Sequence, residues 1–131
     1  MIENFVTIFD KNFIPQGLTL YDSLVRNIER FNLWVLCIDL DTEIFLKKIN
    51  KKFIKVISIK DYEDEILKKL KKERSTAEYC WTLTPIAPKI VFKQNDQIKR
   101  VTYLDADMFF VNKLDEIFYE FEDSKKSILI T

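Results

Sequence analysis

"LWVLCID", residues 33–39, is apolar at every position before its closing acid. A strand with one face in water alternates apolar and polar residues. A short run without that alternation suits a strand buried on both faces, as in the middle of a parallel sheet. The flanking segments support this. Upstream, "NFVTIFD" (4–10) is short, β-branched and aromatic, and reads as another strand. Between the two, 14–31 places Leu18, Tyr21, Leu24, Val25 and Ile28 at near-helical spacing, with Pro15 suited to a first turn.

The alternation continues downstream. Asp41 is expected to cap a helix over 42–52 whose apolar side is Ile44, Phe45 and Ile49. "IKVISI" (54–59) reads as a third strand, and Asp61 as the start of a helix to about Arg74 with Ile66, Leu67 and Leu70 inward. Residues 75–95 begin with a Ser75…Glu78 capping pair and read as helix interrupted around Pro85 and Pro88. "RVTYLD" (100–105) is a fourth strand, 113–123 a short helix and "SILIT" (127–131) a fifth strand. This order predicts an α/β, Rossmann-like, mainly parallel sheet with helices on both faces, built as one domain over 1–131. A closing strand with nothing after it to cover the sheet predicts the front part of a longer fold.

Composition narrows the function. Lys+Arg and Asp+Glu both total 21, which argues against a general nucleic-acid binder. The basic stretches at 46–55 and 67–74 read first as solvated helix faces. There is no histidine, which excludes Ser–His and Cys–His catalysis and His-ligated zinc within these residues. Cys37 and Cys80 read as buried small hydrophobes in a reducing compartment. No apolar run has the length of a membrane span, and the amino end lacks a signal-like basic start. A cytoplasmic location is expected.

The fourth strand carries the chemistry. It ends on Asp105 and Asp107, with only Ala106 between them and Phe109 and Phe110 just beyond. In regular extended backbone, i and i+2 side chains point the same way, and two close carboxylates repel. A divalent metal resolves that conflict, and hard oxygen ligands suit Mg²⁺ or Mn²⁺ with positions left for phosphates. The apolar surroundings predict burial of the pair. Alternatively the two acids simply end the strand and cap a turn. The other D-x-D, Asp39 and Asp41, runs into a charged helix and reads as strand exit plus N-cap.

The pattern "VTYLDADMFF", with "EYCWTLTPIAPKIVF", "VTIFDKNFIPQGLTLYDSL" and "SILIT" in register, resembles the nucleotide-diphospho-sugar glycosyltransferases of type A fold, closest to a bacterial branch near the glycogenin and lipopolysaccharide galactosyltransferase relatives. The resemblance implies that Asp105 and Asp107 ligate Mn²⁺ or Mg²⁺ and, through it, the diphosphate of a donor, most simply a UDP-sugar. It implies that Asp105 also reaches the ribose, that Asp10 accepts a base N–H, and that Asn12 meets the ribose. Thr7 and Phe9 would line the base pocket, though Phe9 reads equally well as core. Thr82 would contact donor oxygens, with Lys89 a distant basic candidate. Such enzymes are usually longer, with an acceptor site and often a histidine ligand in their later half, so weak catalysis or none is expected from these residues alone; the acceptor stays unidentified.

Two alternatives stand beside this one. A haloacid-dehalogenase-type phosphatase also uses D-x-D after a strand, but wants Thr or Val where Phe109 and Glu43 stand. A non-catalytic donor-binding module, self-associating through its uncovered sheet surface as a homo-oligomer, is the other.

Overall fold

The computed structural model describes residues 2–128 and 130. Four parallel strands form one sheet in the order β3-β2-β1-β4. The strands are β1 (Glu3–Phe9), β2 (Phe31–Cys37), β3 (Ile54–Ser58) and β4 (Thr102–Tyr103). Between and after them lie α1 (Ile14–Asn27), α2 (Leu40–Ile49), α3 (Glu65–Glu73), α4 (Thr76–Leu83), α5 (Ala87–Gln94) and α6 (Asp115–Ser124). The expected α/β sheet with helices on both faces is what forms.

Strand periodicity divides the core. Phe5 and Phe9 of β1 face the layer of α1, α2 and α6, where Leu20, Leu24, Leu46 and Leu114 are buried with Leu33 and Val35 of β2. Val6 and Ile8 face the opposite layer, with Leu36, Ile57, Leu67, Leu83, Ile90 and Val91. Leucine, valine or phenylalanine fully buried in this way contributes about 1.5–3 kcal/mol each relative to exposure. Both faces of β2 are therefore covered, which is why 33–38 lacks polar alternation.

Several expected details differ. β2 begins at Phe31 and ends at Cys37, in register with β1 from Glu3↔Phe31 to Phe9↔Cys37. β4 is shorter than expected and lies at the edge of the sheet, with β1 as its one partner among the described residues; one further bond, Leu104 N–H to the Val6 carbonyl at 2.9 Å, continues the ladder. Asp39, not Asp41, caps α2: its extended backbone lets the carboxylate accept from the Thr42 N–H. Asp64, not Asp61, caps α3, since Asp61 belongs to a 3₁₀ turn. The phase of α2 is set by Thr42 and Leu46, which are buried, so Ile44 and Phe45 are exposed and only Ile49 of the expected apolar side packs inward. Likewise Leu67 is buried on α3 while Ile66 is 70% exposed. Val25 of α1 is also exposed. The break between α4 and α5 falls at 84–86, with Pro88 inside the first turn of α5.

The expected strand at 127–131 includes Leu129 and Thr131, which lie outside the described residues; Ser127 and Ile128 are irregular. Among the described residues, no helix is long and apolar enough to cross a membrane.

Candidate functional site

The sheet order puts β2 and β3 on one side of β1, and β4 on the other. The chain therefore reverses its direction of growth between β1 and β4. In open α/β sheets, ligands bind beyond the carboxyl ends of the strands at such a switch point. Asp10 follows β1 and Asp105 follows β4, so both leave the same edge of the sheet, side by side.

The loop after β1 is held tightly. Asp10 has extended backbone, and its carboxylate accepts from the Asn12 N–H at 2.9 Å and from Asn12 Nδ2 at 3.4 Å. The Lys11 N–H donates to Asp39 at 2.9 Å, and Lys11 Nζ pairs with Asp41 at 3.3 Å. Burial alone would raise the Asp39 carboxyl; the N–H groups of Lys11 and Thr42, with the nearby Lys11 charge, outweigh it and hold it below the usual range. The D-x-D after β2 thus anchors the loop that carries Asp10 and Asn12.

The loop after β4 is different. Asp105 and Asp107 are exposed, and Met108 and Phe109 are 39% and 50% exposed, so the expected burial of the pair is overturned. The strand has already ended at Tyr103, and a turn closed by the Met108 N–H on the Asp105 carbonyl, at 3.1 Å, replaces extended backbone. Of the apolar run around the acids, Leu104 is buried and Ala106 and Phe110 pack against the core, while Met108 and Phe109 form an exposed loop lip. Among the described residues, no group of three or more His, Cys, Asp or Glu is placed to hold a metal. Two exposed carboxylates fit an ion that takes one or two protein oxygens and completes its shell with water and phosphate, the habit of Mg²⁺.

Other expected site residues fall elsewhere. Thr7 and Phe9 are buried at 0% and 3% exposure; the Phe9 ring packs on Gly17 of α1, and Thr7 Oγ1 has no hydrogen-bond partner among the described residues. Thr82 donates to the Glu78 carbonyl at 2.9 Å and accepts from Arg74, bracing α4 against the end of α3. Lys89 is exposed on α5.

Three residues not singled out for the site do converge on it. Burial raises the Tyr103 phenol, the Thr84 side chain draws it back, and the Asp105 carboxylate and Cys80 push it up further. Burial also raises the Cys80 thiol, and Asp10 adds to that rise. Thr84 donates to the Cys80 carbonyl at 3.1 Å. Asp10, Cys80, Thr84, Tyr103 and Asp105 therefore share one electrostatic neighbourhood. The i, i+4 spacing of Cys80 and Thr84 puts them on one helix face, but nothing local pairs that face with residue 103. A separate depression of about 370 Å³, lined in part by Glu3, Arg30, Arg100 and Phe118, lies at the amino end of the sheet.

No model of a known protein family matches the chain. It is 35% identical over 118 residues to the uncharacterized protein YfnF of Bacillus subtilis (strain 168), covering 90% of this chain and 39% of that one. It is 30% identical over 117 residues to the uncharacterized protein YfnD of the same organism, covering 89% of this chain and 38% of that one. The chain thus spans about two-fifths of the length of these relatives. Among solved structures it is similar to the apo-form glycosyltransferase GlyE of Streptococcus pneumoniae TIGR4. The TM-score is 0.53 at 18% identity, over 90% of this chain and 26% of that one. The fold is glycosyltransferase-like.

Proposed function

We propose that these residues form the donor-binding part of a metal-dependent DxD glycosyltransferase that takes a nucleotide-diphospho-sugar, with a UDP-sugar as the first choice. The observation that carries this reading is the pairing of Asp10 and Asp105 at the carboxyl ends of adjacent strands flanking the switch point. Asp105 and Asp107 would hold Mn²⁺ or Mg²⁺, and the ion would stabilise negative charge on the departing diphosphate.

The chain's own residues would do the rest. Asp10 would accept a base N–H, and Asn12 would meet the ribose, on a loop that Asp39 holds through the Lys11 N–H. Thr7 and Phe9 would support that loop from within the core rather than touch the base. Tyr103 and Thr84 would set the orientation of Asp105. Coverage of only 39% of YfnF suits a donor part whose acceptor site lies in further residues, so sugar transfer by these residues alone is proposed to be weak. A reducing, cytoplasmic setting fits the two free cysteines.

Calorimetry of UDP binding tests the reading, with Mn²⁺ and with EDTA, on this chain and on Asp107→Asn. The expected result is tight binding only for the unsubstituted chain with Mn²⁺. Equal affinity in all four conditions would overturn it.

A further inference from the structure

The 21 basic and 21 acidic residues are not evenly spread: residues 46–60 hold six lysines and no acid. Lys47 and Lys48 close α2, and Lys51 and Lys52 follow it in the loop to β3. All four are exposed. Lys47 pairs with Glu43 at 2.8 Å, but Lys48, Lys51 and Lys52 have no carboxylate partner among the described residues.

The same helix exposes large apolar groups. Thr42 and Leu46 are its buried side, so Leu40 and Ile44 point away from the protein at 50% and 54% exposure, with Phe45 beside them at 36%. At 100° per residue, Leu40, Ile44, Lys47 and Lys48 lie along one outward stripe of α2, and Lys51 and Lys52 follow in the loop beyond its left-handed cap, Asn50. Lysines near a helix C-terminus complement the macrodipole, which accounts for Lys47 and Lys48. It accounts neither for the exposed aliphatics nor for Lys51 and Lys52.

The loop bearing those two lysines is fixed. Asn50 and Phe53 adopt φ of 44° and 75°, the left-handed region that non-glycine residues rarely occupy. The Phe53 ring packs tilted against Phe31 with centroids 5.0 Å apart, and the Phe53 carbonyl accepts from the Leu33 N–H at 2.8 Å. The Lys52 carbonyl accepts from Tyr21 Oη at 2.7 Å. The core therefore holds the lysines in position before any partner arrives.

We propose that the outward face of α2 and the 51–52 loop form a docking surface for an anionic lipid bilayer. Leu40, Ile44 and Phe45 would enter the headgroup boundary while Lys48, Lys51 and Lys52 meet lipid phosphates, the arrangement of a helix lying in a membrane interface. The exposed aliphatics favour a bilayer over a nucleic acid, which would leave them in water. The lysine loop and the Asp105 edge lie at opposite ends of the sheet, since 51–52 precede β3 while Asp10 and Asp105 follow their strands.

Co-sedimentation of the 131-residue chain with vesicles tests this at low and high salt. One set is phosphatidylcholine alone, and the other contains phosphatidylglycerol. Binding is expected only to the second set, and only at low salt. Each of Lys48→Gln, Lys51→Gln and Lys52→Gln should lower the partition constant about fivefold, and Ile44→Ser should lower it further without changing the far-UV spectrum. Lys68→Gln, Lys69→Gln and Lys72→Gln on α3 remove equal charge and should leave it unchanged. No binding to phosphatidylglycerol vesicles would overturn the proposal. So would equal sensitivity to the α3 changes, or binding to a random-sequence RNA oligomer in place of vesicles.

Discussion

The backbone N–H of Lys11 donates to the Asp39 carboxylate at 2.9 Å, so the loop after β1 hangs on the residue that caps α2. One side chain thereby sets a helix start and the position of Asp10 and Asn12. Asp39→Ala removes the cap and leaves the Lys11 N–H without that partner. The expected cost is about 2 kcal/mol, read as a lower urea midpoint at unchanged m-value.

Acid should reveal the same group. Asp39 has a folded pKa below its ordinary value, so between that value and the unfolded one, about 3.9, the unfolded chain binds the extra proton. Stability from Asp39 is present above the unfolded pKa and is lost as pH falls through the folded one. Asp39→Asn keeps a cap but not the charge. Its urea midpoint should fall less steeply than the unsubstituted chain's as pH drops below the ordinary aspartate range.

Gly17 is the only glycine in the chain, and a Cβ there would fall 2.4 Å from Phe9 Cε1. Alanine would gain about 1 kcal/mol of helix propensity. Overlap with a ring packed between sheet and helix costs about 1–3 kcal/mol. Gly17→Ala is therefore expected to destabilise by about 1 kcal/mol net. In a Phe9→Leu background the same change should become neutral or favourable, because the ring that resists it is gone. Equal costs in both backgrounds would show that the ring is not the obstacle.

What was legible in the sequence follows from how local the controlling interaction is. The strand at 33–38 could be read because burial on both faces leaves its mark on every residue. Helix phases were read less well: Ile44 and Ile66 are as apolar as the neighbours that became buried, and only packing on the sheet selected Leu46 and Leu67. Either Asp39 or Asp41 suits the cap of α2, and the choice depends on where β2 ends. Asp10 and Asp105 could be assigned to one edge, since parallel strands send their following loops the same way. Their exposure could not, because an aromatic run after a strand makes a loop lip as readily as a core.

Arg100 illustrates a contact with no sequence signal at all. Its Nε donates to Glu3 at 3.3 Å and its Nη1 to Glu122 at 3.0 Å, with the guanidinium 4.6 Å from the Phe118 ring centroid. It ties the entry of β4 to β1 and α6. The Arg100 and Glu3 side chains are only 15% and 14% exposed, so removing one strands the other. Arg100→Ala should cost about 3 kcal/mol. Arg100→Met with Glu3→Gln together should cost less than that, since no buried charge remains unpaired. Urea denaturation of Arg100→Met, Glu3→Gln and the two together closes a double-mutant cycle that measures the coupling.

The two threonines of α4's end separate a structural role from a binding one. Thr82 is occupied by Arg74 and the Glu78 carbonyl, whereas Thr84, whose hydroxyl donates to the Cys80 carbonyl, draws down the Tyr103 phenol that burial and Asp105 raise. If Asp105 holds the ion that holds the donor diphosphate, its orientation matters more than its charge alone. Thr82→Val should then lower stability by about 0.5–1.5 kcal/mol and leave UDP affinity in Mn²⁺ unchanged. Thr84→Val and Tyr103→Phe should each weaken UDP binding in Mn²⁺ severalfold while changing nothing in EDTA, where affinity is already low. Calorimetry under both conditions distinguishes the cases. A loss of affinity with Thr82→Val but not with Thr84→Val would move the donor contact to the α3 side of the helix and remove Tyr103 from the site.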